Sequence, residues 1–331
     1  MSSTRAWHLV SRPAGMPDTS NFELKDAHLP EVDDGMVRVR NRWLSVDPYM
    51  RGRMNDVKSY TPPFQIGEAM QGGAIGEVIE SRSDQFKPGD HVQHMAGWRD
   101  EAVVPAAQLQ PLPQLDVEPQ AYLGQLGMPG MTAYFGLLDV ASAKEGDTVF
   151  VSAAAGAVGS TVVQIAKAKG LRVIGSAGGA DKCAWVESLG TDAVIDYKAD
   201  VPVVKALGAA ARNGIDVYFD NVGGEHLDAA LAHANAGARF AICGMIDVYN
   251  SGAATQLRYL ARLIGMRIRM QGFIVSDYAN RAPDFYRDMG GWLQDGKLTR
   301  EETVFEGLET APEAFLGLFT GSNRGKMLVR V

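Results

Sequence analysis

The sequence predicts an α/β protein in which a mainly β first domain precedes a doubly wound parallel sheet. Three observations predict it. Short β-rich runs broken by Gly and Pro fill the chain from Trp7 to Pro113. After Leu115 apolar residues recur at helical spacing, and from Asp147 short apolar strands alternate with helices that end on glycine. A chain of 331 residues exceeds what one hydrophobic core usually serves, so two domains are expected. Residues 1–120 with 300–331 form the first, and residues 121–299 the second.

In the first domain Met36 to Val39, Gly73 to Ile79, His91 to His94 and Val103 to Pro105 read as strands. The Pro88-Gly89 turn feeds one of them, and a small barrel is expected. Met131, Tyr134, Phe135, Leu137 and Leu138 then mark a helix. The strand Thr148 to Ser152 leads to a helix from Val158 to Lys169 with Gly170 at its end. The strand Arg172 to Ser176 leads to a helix from Asp181 to Leu189 closed by Gly190, and Ala193 to Tyr197 is the third strand of a βαβαβ unit. The second half repeats the plan. It has a strand at Ile215 to Asp220, a helix at Glu225 to Ala236, a strand at Arg239 to Gly244, a helix at Ala254 to Ile264 and a strand at Arg267 to Val275. Six strands are what two mononucleotide-binding halves need. Beyond them come a helix from Asp284 to Leu293, a strand from Glu302 to Phe305, a helix from Pro312 to Phe319 and a last strand from Lys326 to Val331, expected to return to the first domain.

A net charge of -7 and the lack of a Lys/Arg cluster argue against nucleic acid. No stretch approaches the roughly 20 apolar residues of a membrane helix, and the first residues lack a signal-like apolar core. Two cysteines, Cys183 and Cys243, read as reduced thiols, so a soluble protein of a reducing compartment is expected.

The most informative segment is the turn Ala154-Ala155-Gly156-Ala157-Val158-Gly159 between a buried strand and a helix. It has the G-x-G-x-x-G layout with alanine first. Gly156 lets the backbone approach a pyrophosphate, and Gly159 lets the helix sit close to the strand. Chains that bind NAD place an acid at the end of the next strand. Here that strand ends in small residues, Asp181 reads as a helix cap, and Lys182 stands where an ammonium meets a 2′-phosphate, which favours NADP(H). Zinc chemistry needs soft ligands that two distant cysteines do not supply. The segment Gln65 to Gly73 has no histidine, and His91 and His94 point to opposite faces of a strand, so no metal is expected.

The segments Val46 to Met54, Gly127 to Gly136, Ala153 to Ser160, Tyr218 to Gly224, Cys243 to Asn250 and Gly321 to Lys326 together resemble the zinc-independent medium-chain reductases. That family includes prostaglandin reductase (leukotriene hydroxydehydrogenase), plant alkenal double-bond reductases and bacterial curcumin reductase. The resemblance covers nearly the whole chain. It implies a GroES-like β-barrel domain beside a Rossmann-type domain, a cytoplasmic homodimer, and NADPH-dependent reduction of the carbon-carbon double bond of α,β-unsaturated ketones and aldehydes. It further implies that Lys182 and Tyr197 meet the 2′-phosphate. Asn221, the loop of Cys243, Gly244, Met245, Ile246 and Tyr249, then Phe273, Ile274, Val275 and Asn323 would line the ribose and nicotinamide.

Tyr249 is the candidate catalytic residue, a neutral O–H donor for the charge that develops on the substrate oxygen. It either serves the chemistry or packs on the ribose. Tyr49 and Tyr60, in a loop of the first domain, are candidates for the substrate mouth. Where relatives often have Ser-x-Tyr-Asn, this chain has Asp247-Val248-Tyr249-Asn250, and His94 to Trp98 stands where relatives often have pocket aromatics. A quinone oxidoreductase of the same superfamily, or a non-catalytic NADPH-binding protein, would carry the same turn. The strand from Arg267 to Val275 is the kind of edge that pairs with a second copy.

Overall fold

In the computed structural model, which describes residues 3–252 and 254–331, the chain divides into two compact units. One runs through Leu123 and takes back Glu302–Asn323 and Met327–Val331; the other is Gly124–Glu301 with Arg324–Lys326.

The first unit begins with β1 (Ser3–Leu9) paired antiparallel to β2 (Phe22–His28). It continues through β3 (Met36–Ser45), α1 (Tyr49–Arg53), β4 (Ala74–Ser81), β5 (His91–His94), β6 (Glu101–Pro105) and β7 (Gln110–Pro111). Alternation along β3 buries Val37, Val39 and Asn41 on one face. Val37 and Val39 pack with Val78, Val92 and Val104 in one core cluster. A second cluster gathers Leu44, Met50, Met54, Trp98 and Phe315. Trp98 is fully buried there, stacked on Phe22 and edge-on to Phe315, so it belongs to the core and not to a pocket. Tyr49 opens the short helix α1 and so is not a loop residue.

The second unit starts with α2 (Met128–Phe135), prolonged by a wider turn over Gly136–Val140. There follow β8 (Thr148–Val151), α3 (Ala157–Ala168), β9 (Arg172–Ala177), α4 (Ala180–Ser188), β10 (Ala193–Asp196), α5 (Val203–Ala210), β11 (Ile215–Asp220), α6 (Gly224–His233), β12 (Ala234–Ile242), α7 (Arg262–Met266), β13 (Arg269–Gly272) and α8 (Ala282–Gln294). The tail, β14 (Glu302–Glu306), α9 (Ala311–Thr320) and β15 (Lys326–Arg330), returns to the first sheet, where Leu328 of β15 pairs with Ser45 of β3.

Two sheets carry the architecture. In the first unit the order is β14-β15-β3-β4-β5-β7, with β6 also paired to β3. In the second it is β10-β9-β8-β11-β12-β13, all parallel. Strand order reverses between β8 and β11, and doubly wound sheets bind ligands at the carboxyl ends of the strands beside such a reversal.

Several elements depart from the sequence expectations. The helix expected over Ala254 to Ile264 is only α7, because the backbone N–H of Tyr259 is held by Asp228 Oδ1 at 3.0 Å and Leu257 packs into the core instead. The helix expected to reach Ala236 stops at His233. Ala234 is already paired with Ile215, and Asn235 donates to Asp216 at 2.9 Å, so β12 starts five residues early. The strand from Arg267 shrinks to β13, since Arg267 is left-handed with φ 52°. Helix α5 was not expected.

Candidate functional site

The strand β8 is continuous with a tight turn whose residue Ala153 is left-handed at φ 48°. Gly156 then serves as N-cap of α3 with no side-chain capping bond, and the first helical bond runs from Ser160 N–H to Gly156 at 2.9 Å. The N–H groups of Ala157, Val158 and Gly159 therefore point out of the helix start, where the helix dipole favours an anion. Ala154 and Ala155 are buried beneath. A Cβ on Gly159 would overlap Ala153 O and come within 2.9 Å of the Ala154 backbone, so only glycine lets α3 seat this closely. Gly325 donates to Ala155 O at 2.8 Å and ties Arg324–Lys326 to the turn.

Across the reversal, the ends of β8 and β11 are stitched by side chains. Asn221 donates from its backbone to Ser152 Oγ at 2.9 Å and from Nδ2 to Ser152 O at 2.8 Å. Asp220 is buried, and its Oδ1 accepts from Tyr218 Oη (2.7 Å), Ser152 Oγ (3.2 Å), Val222 N–H (2.9 Å) and Gly223 N–H (2.8 Å). Burial nevertheless raises its carboxyl above the usual carboxylate range. Asp220 thus frames the loop through its Oδ1. The pattern Tyr-Phe-Asp-Asn carried no signal of this framing role.

The Cys243-to-Tyr249 loop is zipped onto that frame. Cys243 and Gly244 N–H donate to Asp220 O, Asp247 N–H donates to Val222 O, and Met245 N–H donates to Tyr249 Oη at 3.3 Å. Burial, with the Asp220 charge nearby, pushes the Cys243 thiol up to about 12, so it stays a neutral thiol. Phe273 sets its ring edge-on to Phe219, centroids 6.3 Å apart, and Ile274 and Val275 are half-buried after it.

At the other end of the sheet, β9 finishes in Ala177 without an acid. Gly179 is the N-cap of α4, with no side-chain cap bond, so Asp181 is a first-turn acid and not the cap. Lys182 is half-buried, and burial together with the Lys198 charge lowers its ammonium from the usual lysine range. The Tyr197 ring lies against Gly178, where a Cβ would meet it at 2.6 Å. Tyr197 also meets His226 edge-on, and His226 bonds Ser176 at 2.8 Å.

The structure therefore gathers Ala154 to Gly159, Lys182, Tyr197, Asn221, Cys243 to Tyr249 and Phe273 to Val275 in one unit, at or near strand ends of one sheet. Asn323, Tyr49 and Tyr60 belong to the other unit. There Tyr49, Arg53 and Tyr60 are electrostatic neighbours, and burial with the Asp47 charge holds the Tyr49 phenol well above the usual range. Sequence reasoning missed Ser152 and Lys198, the neighbour that acts on Lys182, and read Asp220 as an ordinary strand-end carboxylate with no part in the chemistry. Only Lys198, beside Tyr197, left a readable sign.

These residues fit a phosphorylated dinucleotide: open amides for a diphosphate, a small-residue strand end for a ribose, and an ammonium for a further phosphate. Among the described residues, no group of three or more His, Cys, Asp or Glu is arranged to hold a metal ion.

Residues 5–112 match the family model described as the N-terminal domain of oxidoreductase, and residues 157–291 match the one described as zinc-binding dehydrogenase. The chain is 44% identical to the NADPH-dependent curcumin reductase of Escherichia coli strain K12, covering 99% of this chain and 96% of that protein. It is 42% identical to the NADP(+)-dependent 2-alkenal reductase of Nicotiana tabacum, over 96% and 94% of the two chains. Among solved structures, CurA from Vibrio vulnificus in complex with NADPH superposes with a TM-score of 0.94 at 44% identity, covering 99% of each chain.

Proposed function

The chain belongs to the zinc-independent medium-chain dehydrogenase/reductase family, and from that membership we propose that it is an NADPH-dependent reductase of the carbon-carbon double bond of α,β-unsaturated ketones and aldehydes. One observation carries the reading: over its whole length the chain is 44% identical to a reductase named for NADPH and curcumin. The open amides at Ala157 to Gly159 and the acid-free end of β9 support it from the structure.

Bound NADPH supplies the hydride that adds to the β-carbon of the substrate. The chain's own work is to hold that donor and to stabilise charge on the substrate oxygen. The turn from Ala154 to Gly159 holds the diphosphate, Lys182 and Tyr197 hold the 2′-phosphate, and Asn221, Cys243 to Tyr249 and Phe273 to Val275 line the ribose and nicotinamide. Tyr249 is the donor to the substrate oxygen or the source of the α-carbon proton. Its oxygen accepts from Met245 N–H, which fixes the phenol within the loop and directs its own O–H away from that amide. Tyr49 and Tyr60 line the substrate mouth.

The enzyme acts in the cytoplasm as a homodimer. Two free thiols suit a reducing compartment, and no helix among the described residues is long and apolar enough to cross a membrane. The sheet edge β13 offers unpaired backbone to a second copy.

NADPH oxidation against alkenals, diarylheptanoid enones and quinones, with and without chelator, tests the activity. Saturated ketone or aldehyde product, insensitive to chelator, is expected; turnover of quinones alone overturns the enone reading. Tyr249→Phe is expected to lower kcat at least about tenfold with NADPH affinity unchanged. An unaltered kcat removes Tyr249 from the chemistry.

A further inference from the structure

We propose that Lys198 is a second cation of the 2′-phosphate pocket, so that two ammonium groups from consecutive crossovers of the sheet select the phosphorylated adenosine. The inference rests on the NADPH reading above and adds a residue that it does not contain.

The geometry begins with two neighbouring strand ends. β9 and β10 run parallel with Ala177 opposite Asp196, so the residues just beyond each strand leave the sheet side by side. Tyr197 N–H donates to Ala177 O at 3.1 Å, fixing the second segment against the first. Asp196 Oδ1 then accepts from Gly179 N–H and from Lys198 N–H, both at 2.9 Å. One carboxylate oxygen therefore clamps the backbone at the start of α4 and the backbone of Lys198 together. Those two amide bonds are the main reason the Asp196 carboxyl lies below its usual range.

Within this clamp, the Tyr197 ring covers Gly178, and Lys182 sits in the first turn of α4, whose first helical bond runs from Cys183 N–H to Gly179 O at 3.1 Å. Lys182 and Lys198 carry like charge, offset only in part by the Asp196 carboxylate, which attracts Lys198 while its Oδ1 is taken up by the two amides. Lys182 makes no ion pair with a carboxylate among the described residues, and the charge that acts on it is the Lys198 ammonium. Two like charges held together without an ion pair to separate them are unfavourable in the empty pocket and favourable once an anion lies between them. A 2′-phosphate carries roughly −1.5 to −2 charges near neutral pH, more than one ammonium neutralises. A ribose with a plain 2′-hydroxyl offers no such compensation. Lys198 is exposed, so solvent screens its contribution and the expected effect is modest.

Titration calorimetry on the protein without dinucleotide, using adenosine 2′,5′-bisphosphate and 5′-AMP as probes, tests this apart from turnover. Lys198→Gln is expected to weaken the bisphosphate about fivefold while leaving 5′-AMP unchanged, and Lys198→Arg to restore binding. The salt dependence of bisphosphate affinity is expected to flatten in the Gln variant. An unchanged bisphosphate affinity, or an equal loss for both probes, overturns the role of Lys198 while the NADPH reading stands. A wild-type protein that binds the two probes equally overturns the reading and the inference together.

Discussion

Two residues shape the site through the backbone around them, one by having no side chain and the other by what its carboxylate accepts. Gly159 is required by space, because any side chain there collides with Ala153 O and the Ala154 backbone. Gly159→Ala is expected to push α3 away from the turn, costing about 1–3 kcal/mol of stability and weakening NADPH and NADH alike. Equilibrium unfolding and nucleotide titration check it, and a variant that loses only NADPH would contradict a role at the diphosphate. Asp220 is required by hydrogen bonding, since its Oδ1 satisfies four donors around the β8 and β11 ends. Because burial favours the neutral carboxyl, Asp220→Asn, which is neutral and keeps one acceptor oxygen, is expected to cost only about 1 kcal/mol. Asp220→Ala strands buried donors and is expected to cost roughly 3 kcal/mol or more in urea unfolding. Equal losses in the two variants would show that the acceptor oxygen is not what matters.

At the scale of elements, α6 is joined to β9 and β10 through one histidine. His226 is buried beside Phe150, bonds Ser176 and meets Tyr197, and burial holds it down at about 4. An unfolded histidine titrates near 6.5. The folded form is depressed, so this stability is complete above pH 6.5 and is lost as pH falls from there through about 4, where the unfolded chain binds a proton that the native chain refuses. The loss approaches roughly 3 kcal/mol at its limit. Urea midpoints between pH 7.5 and 4.5 are expected to fall less steeply in His226→Gln; an unchanged slope would put the acid sensitivity elsewhere, His94 in the first unit being held down in the same way.

The same elements show what the sequence made legible. Strands β8, β9, β10 and β11 were readable because they are short apolar runs bounded by turn residues, and α3 and α4 because Gly170 and Gly190 close them at positive φ. Helix α5 was not, because it is short and carries Gly208 against the His233 ring, although Val203 and Leu207 recur one turn apart on its buried side. Residues 254–261 look helical by propensity, but Asp228 captures Tyr259 from a distant helix, a bond that local pattern does not encode. In the site the glycine turn and Lys182 were visible for the same local reason, whereas Ser152 and Asp220 act through partners 68 residues apart.

For the whole molecule, the division of labour between the two units makes a prediction that no single residue makes. Every group assigned to the diphosphate and adenosine lies between Ala154 and Lys198, within the second unit, whereas β3, β4, β5 and β6 and their valine core belong to the first. A ligand that binds only the native state stabilises what it touches by mass action, about 2.7 kcal/mol at a hundredfold excess over Kd. Adenosine 2′,5′-bisphosphate has no nicotinamide, so its contacts end within the second unit. Hydrogen exchange followed by mass spectrometry is therefore expected to show slower exchange in peptides covering 153–160, 176–183 and 196–198, where open amides become hydrogen-bonded. Peptides covering Met36–Ser45 and Ala74–Ser81 are expected to exchange at an unaltered rate. Full NADPH adds the nicotinamide, and protection is then expected to extend to 243–249 and 273–275. Protection of 243–249 by the bisphosphate alone would mean that the loop closes on the adenosine half, and that the order of contacts along the sheet is not the one drawn from its strand ends.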